Sequence, residues 1–222
     1  RSSDRFLIDW QTSTAFSNDV NSFGYEALFA NESALDFHLK SRFGRFDPAT
    51  GLFATNDTET SRLIDLGDPS IGTGFEPSPN GYRPNLGAYG RGYQASKSLT
   101  NAWVLALSHN DGGVVKGTNV VLRWAAPVSG PVTSYRLEYS SDGGDMWSTI
   151  ATGQGTSQGM GSYSWDTSGF DDSFNGIWRA VAEDDSCSDQ TDAPFALRNQ
   201  THAFYVNDAD STDDIYCSDI GS

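Results

Sequence analysis

Asn119-Val120-Val121-Leu122-Arg123-Trp124, Ser134-Tyr135-Arg136-Leu137-Glu138-Tyr139-Ser140 and Trp147-Ser148-Thr149-Ile150-Ala151, with Asp142-Gly143-Gly144-Asp145 before the last, are the stretches that decide the fold. Apolar and polar residues alternate along them, which is the period of a half-buried strand. The paired glycines accept positive φ without steric cost, so the second and third stretches read as a hairpin. The same texture continues on both sides. It gives candidate strands at Trp103–Leu107, Asn119–Trp124, Ser134–Ser140, Trp147–Ala151, Gly161–Trp165, Ile177–Glu183, and Phe195–Leu197 with His202–Val206. About seven short strands over about 105 residues is the pattern of a β-sandwich. Most of Trp124, Tyr135, Leu137, Tyr139, Trp147, Trp165 and Trp178 are expected to fill its core, which leaves room for one at the surface.

Upstream of residue 95 the texture differs. Short apolar bursts, Ala27-Leu28-Phe29, Phe37-His38-Leu39 and Leu63-Ile64-Asp65, stand between polar turns, and none repeats with the period of a long helix. The Pro- and Gly-rich stretch from Gly72 to Pro84 reads as loop, and Ser96-Lys97-Ser98-Leu99-Thr100 as linker. The expected class is all-β. The expected division is 1–95, a linker over 96–102, a sandwich over 103–206 and an acidic tail over 207–222.

Composition narrows the partners. With 14 Lys and Arg against 29 Asp and Glu, the 222 residues carry a formal charge of −15. A field of that sign repels phosphate backbones and argues against nucleic acid. No run of 18 apolar residues exists, so no segment reads as a membrane-spanning helix. The opening RSSDRFLIDW has neither an initiator Met nor a signal-like apolar core and reads as a mature or excised fragment. Sparse Lys, abundant Asp, Asn, Ser, Thr and Gly, and 13% aromatic residues point to an extracellular protein. The two cysteines, Cys187 and Cys217, form no C-x-x-C. In an oxidising compartment they are expected to pair, contributing roughly 3–4 kcal/mol by loop entropy. Free thiols in a reducing cytosol are the alternative. The sequons at Asn31, Asn56 and Asn199 matter only if a eukaryote made the chain.

No catalytic residue stands out. There is no G-x-S-x-G, and His38, His109 and His202 sit on unrelated segments, where each reads as packed or surface. No spacing singles out a carboxylate pair for glycoside hydrolysis. Lys40, Arg42 and Arg45 beside Asp36 and Asp47 are the one mixed cluster of the kind a polyuronate lyase would need, and a solvated mixed-charge turn is the favoured reading of them. Asp208, Asp210, Asp213 and Asp214 have the oxygen density for Ca²⁺, with Asp171-Asp172 and Asp184-Asp185 as further candidates, against the reading of plain solvated turns. Asp65 and Asp68 read as caps of a turn before Pro69. Trp147, after its turn, is a candidate platform for a sugar ring, edge packing being the competing reading.

Certain motifs carry a resemblance. Asp9-Trp10-Gln11, Asp19-Val20-Asn21-Ser22, Leu28-Phe29, Asp36-Phe37-His38-Leu39-Lys40-Ser41, Leu63-Ile64-Asp65-Leu66-Gly67-Asp68-Pro69 and Pro79-Asn80-Gly81-Tyr82-Arg83-Pro84-Asn85-Leu86-Gly87-Ala88-Tyr89-Gly90 together resemble the last coils of secreted right-handed parallel β-helix proteins. Val121–Trp124, Tyr135–Ser140, Trp147 and Ser162-Tyr163-Ser164-Trp165 are similar to the Ig-like or fibronectin-III-like modules joined to such solenoids in large bacterial extracellular repeat proteins. Phe204-Tyr205-Val206-Asn207-Asp208 with Asp214-Ile215-Tyr216-Cys217 is similar to the opening of a further β-helix. Such folds host lyases, hydrolases, adhesins and inert stalks alike, so the likeness implies architecture and not chemistry.

The expected function is therefore a non-enzymatic structural or interaction module of a cell-surface or filament-forming protein. Its expected partners are other copies of itself or adjoining β-helix segments, joined through open β edges, with polysaccharide as a further partner and Ca²⁺ as the one candidate cofactor. The competing expectations are the downstream part of a polysaccharide lyase or glycoside hydrolase, and a carbohydrate-binding module.

Overall fold

The computed structural model describes residues 22–117 and 119–199, and these are essentially all β. In the N-terminal region, β1 (Phe29–Asn31) pairs antiparallel with β2 (Asp36–Leu39), and β3 (Arg45–Asp47) with β4 (Leu52–Ala54). Between these ribbons and residue 98 the chain runs in turns, with one 3₁₀ turn at Pro69–Ile71. Asp68 caps that turn by accepting the Ser70 N–H. The Gly72 to Pro84 stretch is loop, as its composition predicts. The bond from Lys40 N to Leu28 O extends the β1–β2 ribbon, and later turns are tied to earlier ones by Ser61 N to Lys40 O and Leu86 N to Leu63 O.

The second region holds β5 (Leu105–Ala106), β6 (Val114–Val115), β7 (Val120–Ala125), β8 (Tyr135–Ser140), β9 (Ser148–Gln154), β10 (Met160–Trp165), β11 (Ser173–Ala182), β12 (Ser188–Gln190) and β13 (Phe195–Leu197). One sheet has the order β10-β7-β5, and the other β6-β13-β11-β8-β9 with β12 also on β11. Val120, Leu122, Trp124 and Trp165 from the first sheet meet Tyr135, Leu137, Tyr139, Trp178, Phe195 and Leu197 from the second in one buried cluster. Alternation drives this arrangement. Along β7 the odd positions Val121 and Arg123 face outward while Val120, Leu122 and Trp124 are buried. Trp178 is fully buried, and its indole N–H donates to Ser108 O at 2.9 Å. Of the aromatic residues expected inside, Trp147 alone lies outside this cluster.

The hairpin forms where the glycines place it. β8 and β9 pair antiparallel across residues 141–147, with Gly143 at φ 80° and Gly144 at φ 108°. Other boundaries shift. The strand expected at Trp103–Leu107 contracts to Leu105–Ala106, because Trp103 turns into the seam between the two regions. β11 starts four residues before Ile177, in a polar stretch whose pairing to β13 is irregular. The short strands β6 and β12 carry no sequence signature of their own. The stretch read as a linker is stitched at its start: Ser96 and Ser98 are buried, Lys97 N donates to Gly44 O, and Ser98 N to Pro79 O. His202–Val206 and the tail 207–222 lie outside the described residues.

Candidate functional site

The seam between the two regions concentrates the buried polar chemistry. On its N-terminal side Arg62 reaches across to the second region. Its Nη1 lies 2.8 Å from both oxygens of Asp192, and its Nη2 is 3.3 Å from Asp189. Asp189 also accepts the Ala106 N–H at 2.9 Å. Burial raises the Asp189 carboxyl to about 6, although the Ala106 N–H and Arg62 pull it back. The Tyr25 hydroxyl donates to Ala106 O and accepts from Asn110 Nδ2, and the Arg62 guanidinium lies over the Tyr25 ring. Beneath these groups Leu66, Leu86 and Tyr25 pack with Trp103, Leu105, Leu107 and Ala125 in a second apolar cluster. The seam is thus cored and clasped, as a domain interior is.

Two clefts flank it, sharing Leu99, Thr100 and Asn101. The larger, of about 850 Å³, is walled by Arg42, Phe43, Glu59, Arg62 and Asp192 among others. The smaller, of about 420 Å³, lies between the 78–82 turn and the Pro127–Pro131 loop, with Trp103 and Asp65 in its lining. Asp65 is 3% exposed and accepts the Ser98 hydroxyl at 2.6 Å. Burial pushes its carboxyl up to about 7. Ser98 and the Arg83 charge oppose that rise, and Glu76 adds to it. Around it Asn85 accepts the Asp65 N–H and donates to Ser96 O, Glu76 accepts the Asn85 and Arg91 N–H groups, and Arg83 donates to Leu66 O and Gly67 O. Gly81 is dictated by this packing, since a Cβ there would meet the Asp65 carboxyl at 2.2 Å.

The residues singled out from the sequence fall as follows. Asp68 caps its turn, but Asp65 does not. It is drawn into the buried network because it stands inside the apolar burst Ile64-Asp65-Leu66. That burst was its signal. The mixed cluster is divided. Arg45 sits between Asp57 at 3.0 Å and Asp36 at 3.9 Å, Asp47 closes its own turn onto Ala49 and Thr50, and Arg42 lines the larger cleft. His38 is buried, stacked on Tyr89 at 3.7 Å, with Nδ1 at 2.5 Å from Asp36. Burial lowers His109 to about 4, so it stays neutral. Trp147 is half-buried, with the Arg179 guanidinium 3.9 Å over its ring. Asp172 accepts the Asn199 N–H, Asp184 accepts from Ser186, and Asp185 pairs with Arg136. No group of three or more metal-ligating residues occurs among the described residues. Asp208, Asp210, Asp213 and Asp214 lie outside them, as do His202 and Cys217. Cys187 has no disulfide partner among the described residues. The Asn199 amide donates to Thr167 O and Phe170 O, so that sequon's side chain is engaged. No helix among the described residues is long and apolar enough to cross a membrane. Arg62, Asp189 and Asp192 escaped the sequence because their contacts span about 130 residues.

No family model and no curated protein matches the chain. Among solved structures, a crystal structure of an engineered protein from a structural-genomics consortium is similar over 47% of this chain at 15% identity and a TM-score of 0.30. The match spans 21% of that protein, a likeness too slight to carry an argument.

Proposed function

We propose that the chain is a non-enzymatic structural module of an extracellular protein: an end cover for a right-handed parallel β-helix, joined without a flexible hinge to an Ig-like β-sandwich. The observation that carries this reading is the seam. An apolar cluster, the Arg62 clasp and the Tyr25–Ala106 bond hold the two regions as one body, which a spacer that transmits load requires and an independent pair of domains does not. The bonds that tie later turns onto earlier ones, Ser61 N to Lys40 O, Leu86 N to Leu63 O and Gly67 N to Pro84 O, support the cover.

Two measurements test it. The chain is expected to unfold in one cooperative transition. Arg62→Ala is expected to lower stability by about 2 kcal/mol, since it leaves Asp189 half-desolvated without its cation. It is also expected to increase the spread of interregion distances seen by small-angle scattering. Two transitions in the parent chain would refute the rigid joint. Release of product from polygalacturonate, alginate or xylan, abolished by Asp65→Asn, would refute the non-enzymatic reading.

A further inference from the structure

We propose that the 420 Å³ cleft beside the seam is a binding site for a neutral saccharide, with Trp103 and Tyr82 as its aromatic surfaces and Asp65 as its hydroxyl acceptor. The volume falls within the usual range of small-molecule sites, about 300–1,000 Å³. The lining has the two chemistries that a sugar ring presents. A pyranose has an apolar face of C–H groups that packs on an aromatic ring, and a rim of hydroxyls that both donate and accept. Trp103 is anchored in the seam cluster while also lining the cleft, so its position is fixed before a ligand arrives. Tyr82 is 71% exposed and held at φ 61°, a conformation that disfavours bulky residues. A large aromatic kept in water at a strained turn is poorly explained by stability and well explained by a ligand. Asp65 contributes a buried acceptor that takes a hydrogen bond from Ser98, and Asn101 and Ser129 add exposed polar groups at the rim.

Charge selects the class. Among the described residues no Lys or Arg lines this cleft, in a chain of formal charge −15, which disfavours uronates and sulfated sugars. Among the described residues a single carboxyl group lines it, whereas hydrolysis of a glycosidic bond ordinarily uses two facing carboxyls. The cleft is therefore assigned binding and not turnover. The site goes beyond the structural role, and either can fail alone.

The test is titration of the whole chain with cellotetraose, xylotetraose, mannotetraose and chitotetraose, followed by calorimetry and saturation-transfer NMR. At least one is expected to bind. Tyr82→Asn, which suits a left-handed backbone, and the isosteric Asp65→Asn are each expected to weaken that binding about tenfold, and Trp147→Ala to leave it unchanged. Three results would overturn the assignment. These are no binding by any of the four, binding lost in Trp147→Ala yet intact in Tyr82→Asn, and binding of hexylammonium in place of all four saccharides. Cleavage of a bound tetrasaccharide would refute both the non-enzymatic reading and the assignment of binding without turnover.

Discussion

At pH 8, Asp65→Asn is expected to be more stable than the parent chain by on the order of 4 kcal/mol, and at pH 4 by much less. The Asp65 carboxyl titrates near 3.8 when exposed and near 7 when folded, with burial as the main cause. Between those values the folded chain keeps a proton that the unfolded chain has released. Stability therefore falls as pH rises from about 4 to about 7, then levels off. About three pH units at 1.36 kcal/mol each give the magnitude. Asparagine cannot ionise, accepts the Ser98 hydroxyl with its Oδ1, and tolerates the φ of 61° at this position. Asp189 shifts in the same direction as Asp65, while Asp47, Asp68, Asp142, Asp166 and Asp184 shift the opposite way through their local N–H and hydroxyl donors. All of these are common to both proteins and cancel in the difference. Urea midpoints of the two chains at pH 4, 6 and 8 measure it, and a gap that does not widen with pH would refute the account. A carboxylate kept at this cost is what a binding cleft needs and a bare connector does not.

What the sequence disclosed was the part governed by period and turn chemistry. Val120, Leu122 and Trp124, and Tyr135, Leu137 and Tyr139, place a buried residue at every second position, and both strands lie within a residue of their expected limits. The Asp142–Asp145 turn is read from its glycines alone. The candidate site was scarcely legible. Asp65 gave one hint, a charge inside an apolar burst, but nothing local says that Ser98, Asn85 and Glu76 will surround it. Trp103 resembles a strand residue until Leu66 and Ala125 are seen to claim one side of it. Arg62 reads as any surface cation until Asp189 and Asp192 are brought to it. Period reports which face is buried. It is silent on which distant segment buries it, and the seam consists of such pairings.

Gly161→Ala is expected to destabilise the chain by about 3 kcal/mol or more, at the upper end of overpacking effects. Gly161 lies on β10 directly across from Trp124 on β7. The Trp124 indole lies over the glycine, and a Cβ would meet its Cε2, Cζ2 and Cδ2 atoms at 1.9, 2.2 and 2.4 Å. Backbone strain plays no part, because Gly161 is not among the glycines at positive φ. The ring has no alternative position either, being fully buried among Leu122, Trp165 and Trp178. Gly143 gives the contrast. There φ is 80° and no atom of the described residues lies within 4 Å of an added Cβ, so Gly143→Asn is expected to change stability by no more than about 0.5 kcal/mol. The steric account also predicts coupling. Trp124→Phe alone opens space and destabilises, but in the Gly161→Ala background that space receives the new methyl group. The double variant is therefore expected to be less destabilised than the two single effects combined, by about 1–3 kcal/mol. Denaturant unfolding of the four proteins closes the cycle. Strict additivity would mean that the glycine serves the backbone of β10 and not the indole across from it.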